Sequence, residues 1–133
     1  MVAAKERGLA DTSFFIAAES ARPFKRAVVP AQLAVSVITI GELRAGVLTA
    51  ASGEARARRL STLESALTLD PIDIDDAIAA SWAQLRLNLR EMGRRMPVND
   101  SWIAATAITL GIPVVTQDDD FPEGIGRLQV IRI

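Results

Sequence analysis

The sequence predicts an α/β fold: one domain spanning residues 1–133, with a mainly parallel central sheet flanked by helices on both faces. Three observations carry this expectation. Short apolar runs at 33–37 (LAVSV) and 112–116 (IPVVT) are rich in β-branched residues and lack polar alternation, as strands buried on both faces do. Segments with helical apolar spacing lie between such runs, the pattern of strands joined by crossover helices. A length of 133 residues, half of them hydrophobic, suffices for one core and is short for two.

Taken in chain order, the apolar residues before Asp11 form a short strand ending at that aspartate, and a helix starts at Thr12 or Ser13. Pro23 and Pro30 bracket a short helix or an irregular connection. After the 33–37 strand, Thr39 and Glu42 fit a capping box, in which the hydroxyl accepts from the third helical N–H and the carboxylate reaches back. That helix runs to about residue 51, where Ser52-Gly53 breaks it, and Leu60, Leu63 and Leu67 mark a second amphipathic helix over 54–67. Residues 69–74 read as a short strand or an extended link. Asp75 and Asp76 suit a helix N-terminus, and Ile78, Trp82, Leu85 and Leu89 continue that helix until Gly93 closes it. Asn99 caps a helix over 100–110 that stops at Gly111; strands over 112–116 and 128–133 follow, separated by the polar turn DDDFPEG.

Composition narrows the chemistry. With no cysteine and no histidine, the chain cannot form a disulfide, a zinc finger, a Ser-His-Asp triad or an imidazole-ligated metal site. Any catalysis must run on carboxylates, hydroxyls, amides, arginine and bound cations. Fifteen basic against sixteen acidic residues give a net charge of −1, so a polyanion would have to be held by local arginines or by a metal. Residues 1–10 carry three charges and no signal-like apolar run. The apolar stretch 33–40 is far short of the roughly 20 residues a spanning helix needs. The expectation is a soluble cytoplasmic protein without a membrane segment.

Four acidic residues share one topological position. Asp11 closes the first strand, Glu42 lies just after the second, Asp118 follows a later one, and Asp100 opens a helix. Ligands of open parallel sheets gather at the carboxyl ends of the strands, so these groups can converge although they are scattered in sequence. Converging carboxylates repel, and a hard divalent cation with oxygen ligands, Mg²⁺ or Mn²⁺, relieves that repulsion. Such an arrangement suits phosphodiester cleavage. Each residue also has a local reading: Asp11 as a cap, Glu42 as a capping-box member, Asp100 as a helix-start residue, and Asp118-Asp119-Asp120 as a solvated turn.

These residues and their surroundings resemble the motifs of PIN-domain nucleases: Asp11 in LADTSFFIA, Glu42 in VSVITIGELRAG, Asp100 in NDSWIAATAITLGIPVVT and Asp118 in TQDDDF. The resemblance is nearest to the VapC-type ribonuclease toxins of VapBC toxin–antitoxin modules. It covers nearly the whole chain and includes the stretch WAQLRLNLREMGRRMPVND. It implies an Mg²⁺- or Mn²⁺-dependent endoribonuclease that cleaves RNA, is neutralised by a cognate VapB-type antitoxin, and forms a homodimer. It also implies catalytic roles for Asp11, Glu42, Asp100 and Asp118, with Asp11, Asp100 and Asp118 on the metal. Asp120 matches the aspartate of the family's D-F pair, and Thr116 and Ser13 match hydroxyl positions that orient a ligand or water. Three consecutive aspartates leave two candidates, Asp118 and Asp120, for the position nearer the metal; Asp118 follows the strand sooner. Two alternatives stand beside this reading. One is a PIN nuclease in RNA maturation or DNA processing, the other a non-catalytic cation-binding regulatory module.

Thirteen of the fifteen basic residues are arginine. Arg86, Arg90 and Arg94 recur every fourth residue and form either an RNA-contacting edge or a solvated helix face. Trp82 and Trp102 read as packing residues within their helices, and Phe14, Phe15 and Phe24 as candidates for a groove that takes an antitoxin segment.

Overall fold

The computed structural model describes residues 6–133. Four strands, β1 (Arg7–Ala10), β2 (Gln32–Val35), β3 (Val114–Thr116) and β4 (Val130–Arg132), form an all-parallel sheet in the order β2-β1-β3-β4. Five α-helices are placed among them: α1 (Thr12–Glu19), α2 (Val37–Leu48), α3 (Gly53–Leu67), α4 (Asp76–Glu91) and α5 (Val98–Leu110). No helix among the described residues is long and apolar enough to cross a membrane.

Successive strand residues point to opposite faces, and here each face has its own core. Leu9, Ala34 and Val114 pack with Leu85 and Leu89 of α4 and Ile103, Ala104 and Ala107 of α5. Their neighbours Ala10 and Val35 pack with Phe15, Ile40, Leu43, Leu63 and Ala66 from α1, α2 and α3. The predicted two-faced α/β layering is therefore what the chain adopts. Strand β1 sits centrally and tolerates little at Gly8. A Cβ there would lie 2.5 Å from Val115 Cγ2 and 3.0 Å from Pro30 Cγ, and Val115 is fully buried. Gly8→Ala is expected to destabilise the fold by about 1–3 kcal/mol through overpacking; a urea titration checks this, and an unchanged midpoint would refute the tight approach.

Two helix starts differ from the sequence expectation. The hydroxyl of Ser36, not Thr39, caps α2, accepting from the Ile38 N–H at 3.0 Å. The chain turns helical as soon as β2 ends, and the extended Ser36 also closes a parallel bridge to Ile72, with the Val37 N–H donating to the Ile72 carbonyl at 3.0 Å. Thr39 is thus buried inside the helix, and Glu42 projects from its second turn rather than reaching back to a cap. Likewise α5 begins at Val98 behind Pro97, whose fixed φ suits a helix entry, so Asn99 lies in the first turn and its amide is free for another partner. The 69–74 link contributes only the Ile72 bridge, and residues between Pro23 and Pro30 form a 3₁₀ turn, Arg26–Val28. Phe15 is a core residue, not a groove residue, while Phe14 packs edge-on against it at 5.4 Å and against Phe24 at 5.9 Å. Trp82 and Trp102 stack at 4.4 Å between α4 and α5, and the Trp82 indole N–H donates to Ser101 Oγ at 2.9 Å.

Candidate active site

The strand order positions the site. From β1 the chain crosses to β2 on one side, whereas β3 and β4 lie on the other, so the topological switch point falls between β1 and β3. Their registry is held by the Leu9 N–H to the Pro113 carbonyl at 2.8 Å and the Asp11 N–H to the Val115 carbonyl at 3.1 Å. Asp11 leaves the end of β1 and Asp118 follows the end of β3. The N-termini of α1 and α5 open beside them, and both helix ends favour negative charge.

Asp11, Glu42, Asp100, Asp118 and Asp120 line one pocket of about 480 Å³, together with Thr12, Ser13 and Asn99. All four acidic positions singled out from sequence therefore meet, and Asp120 joins them. They are not equivalent. Asp11 is 2 % exposed and accepts three internal hydrogen bonds: from Ser13 Oγ at 2.7 Å, from the Phe14 N–H at 3.1 Å as the cap of α1, and from Thr116 Oγ1 at 2.6 Å. Burial pushes its carboxyl up from the usual range, these three donors oppose the rise, and Asp118 adds to it.

Asp100, Asp118 and Asp120 form the convergent trio, with one carboxylate oxygen from each lying within 4.8 Å of the others. Both aspartates of the turn thus face Asp100, while Asp119 is exposed outside the pocket lining. Desolvation, followed by the charges of Asp118, Asp120, Asp11 and Glu42, pushes the Asp100 carboxyl up to about 7. The adjacent Asp118 charge also raises Asp120. Among the described residues, no lysine or arginine lines this pocket.

The donor set fits a hard divalent cation: it is all oxygen and anionic, and its three carboxylates lie near enough to one another to share an ion. Thr116 is fully buried; its hydroxyl donates to Asp11 and accepts from the Asp118 N–H at 2.8 Å. Ser13 Oγ donates to Asp11 and accepts from the Gln117 N–H at 2.9 Å. Both hydroxyls are thereby committed to holding Asp11 and the start of the acidic turn.

Three contributors were not singled out from sequence. The Thr12 hydroxyl donates to Glu42 Oε1, and Asn99 Nδ2 donates to Glu42 Oε2 at 3.3 Å. Their positions beside Asp11 and Asp100 were the available hint. Arg132, on β4, spans the turn by donating to the carbonyls of Asp118 and, at 2.6 Å, Phe121; nothing local in the sequence marks it. Arg132→Gln is expected to weaken divalent-metal affinity by about 10-fold, the loss typical when a group that orients ligands is removed. Isothermal titration with Mn²⁺ reads this directly, and an unaltered affinity would exclude the role.

A family model described as PIN domain matches residues 9–124. Among curated relatives, Ribonuclease VapC5 of Mycobacterium tuberculosis is 48% identical over 128 residues, covering 95% of each chain. Ribonuclease VapC4 of the same organism is 50% identical over 115 residues, covering 86% of this chain and 88% of the relative. The crystal structure of VapBC-5, a member of the VapBC family of toxin–antitoxin systems from M. tuberculosis, matches with a TM-score of 0.89 at 45% identity, over 96% of this chain and 99% of that one.

Proposed function

The chain belongs to the PIN-domain family, and from that premise we propose that it is an endoribonuclease toxin of the VapC type, dependent on Mg²⁺ or Mn²⁺ and neutralised by a VapB-type antitoxin. The observation that carries this reading is the single pocket that five carboxylates line, three of them convergent, with no basic side chain in its lining among the described residues. Relatives named as ribonucleases and a neighbour named as a member of the VapBC family of toxin–antitoxin systems support the substrate class and the partner. Residues 1–133 act as one nuclease domain in this reading, with the cytoplasm as the place of action and a homodimer as the working form.

Asp100, Asp118 and Asp120 would hold the cation, with Asp11 beside them. The bound ion supplies Lewis acidity toward a phosphoryl oxygen and charge compensation for the attacking and leaving oxygens. The chain supplies the rest. Thr116 and Ser13 fix the Asp11 carboxylate; Arg132 fixes the turn that presents Asp118 and Asp120. Glu42 stands outside the convergent trio, with one oxygen held by Thr12 and the other by Asn99. In this reading Glu42 accepts a proton from the attacking water, a role that needs an oriented group.

A fluorogenic RNA assay tests the activity: cleavage with Mg²⁺ or Mn²⁺, abolished by chelator and restored by excess metal. Chelator-resistant cleavage would remove the metal from the mechanism. Growth arrest on expression, relieved by co-expression of a cognate VapB-type antitoxin, separates a toxin from a nuclease of RNA maturation. DNA cleavage in preference to RNA would favour a DNA-processing nuclease.

A further inference from the structure

Beside the acidic pocket lies a larger concavity of about 880 Å³, walled by Arg86, Arg90, Arg94 and Arg95. All four arginines are exposed. Among the described residues none of them pairs with a carboxylate, the recorded ion pair being Arg58–Glu54. We propose that this concavity is a phosphate-backbone subsite that holds single-stranded RNA next to the cleavage centre. The proposal deepens the ribonuclease reading and rests on it.

The four charges are mounted on fixed structure. Arg86 and Arg90 are one turn apart on α4. Gly93, at φ +64°, turns the chain back so that the Arg94 N–H reaches the Leu89 carbonyl at 2.8 Å, which delivers Arg94 and Arg95 to the same hollow. The Arg86 guanidinium lies over the Trp82 indole, 5.4 Å from its centroid, and Trp82 is itself stacked on Trp102. A guanidinium seated this way loses less freedom on meeting a phosphate than a free side chain does.

Position links the hollow to the chemistry. Met96 lines the hollow and the next residue, Pro97, lines the acidic pocket. Arg95 and Asp100 are five residues apart, so their α-carbons can be no more than about 19 Å from each other. Electrostatics supplies the need. An acidic centre repels a polyanion, and a chain of net charge −1 offers no overall attraction; a strand with its scissile phosphate at Asp100 and Asp118 requires a cationic hold nearby. RNA is favoured over an acidic protein segment because one continuous strand has to occupy the neighbouring acidic centre during cleavage.

The test uses the full chain carrying Asp100→Asn, so that substrate survives, and compares it with the same chain also carrying Arg86→Gln, Arg90→Gln, Arg94→Gln and Arg95→Gln. Binding of a fluorescently labelled single-stranded RNA is followed by anisotropy across a salt series. The four substitutions are expected to weaken binding about 10-fold or more. They should also flatten the log–log salt slope by roughly 0.7 per arginine removed, about 2.8 in all. In the active chain they raise KM for RNA. Unchanged affinity and slope, with thermal melts confirming both proteins folded, would overturn the subsite. So would intact RNA binding combined with lost affinity for an antitoxin's acidic segment, an outcome that would make the hollow a protein-docking site. Failure of the ribonuclease reading shows separately: the unsubstituted protein would then leave RNA uncut while the arginine-dependent binding persisted.

Discussion

Asp100→Asn is expected to reduce RNA cleavage by about 1,000-fold or more, because losing one carboxylate of the metal-holding set forfeits several kcal/mol of charge stabilisation. The amide matches the carboxylate in shape, and Asp100 makes no internal hydrogen bond that the fold depends upon, so circular dichroism should be unchanged. Asp11→Asn should abolish cleavage as well, but with a different cost to the fold. Asparagine can still cap α1 through its oxygen, yet its amide would face the Thr116 hydroxyl that now donates to Asp11 Oδ2 at 2.6 Å. Losing that donor–acceptor match in a buried position costs about 1 kcal/mol. The two variants are therefore expected to separate in a denaturant titration while being equally inactive. Full cleavage by purified, folded Asp100→Asn would remove the acidic-site assignment.

The second large effect is on stability without metal. The Asp100 carboxyl is pushed up to about 7, first by desolvation and then by the charges of Asp118, Asp120, Asp11 and Glu42, whereas its unfolded value is near 3.9. Between about pH 4 and pH 7 the folded chain retains a proton that the unfolded chain has released, so this group makes the fold less stable as pH rises through that window. Above about pH 7 both states are ionised and the whole penalty is present. A fully desolvated group with this shift would cost about 4 kcal/mol; Asp100 is half-buried, and solvent screening reduces the figure to about 1–2 kcal/mol.

In chelator, melting temperature should accordingly fall by about 2–4 °C between pH 5.5 and pH 7.5, which spans about half of that window. Adding Mg²⁺ or Mn²⁺ at pH 7.5 should recover it, and the recovery should shrink toward pH 5.5, where protons compete for the same oxygens. Asp100→Asn should melt higher than the parent in chelator and respond weakly to metal. A flat pH profile in the parent, or an equal metal response in the variant, would show that the carboxylates do not share one uncompensated pocket.

Much of the fold is legible along the chain because the forces that write it are local. The apolar runs at 33–37 and 112–116 mark β2 and β3 within two residues, and Asp75 caps α4 through the Ile78 N–H at 2.9 Å. Gly111 ends α5 in the left-handed region at φ +69°, as its place in the sequence suggests. The two misread helix starts have one cause. Thr39 and Asn99 carry good capping chemistry, but β2 ends at Val35 and the chain enters α2 through Ser36, while Pro97 starts α5; tertiary context decides which of several able residues is used.

The sequence alone determined which chemistry is out of reach: without histidine or cysteine, the chain has carboxylates, hydroxyls, amides and arginine to work with. Only the tertiary structure decided which carboxylates meet. Strand order β2-β1-β3-β4 brings the ends of β1 and β3 together, which places Asp11 beside Thr116 across 105 residues of chain and turns both Asp118 and Asp120 toward Asp100. Arg132, at the far end of the chain, enters the site for the same reason. Local propensity governs how a segment coils, whereas the meeting of distant side chains depends on how strands order themselves, a long-range outcome that short sequence windows do not contain.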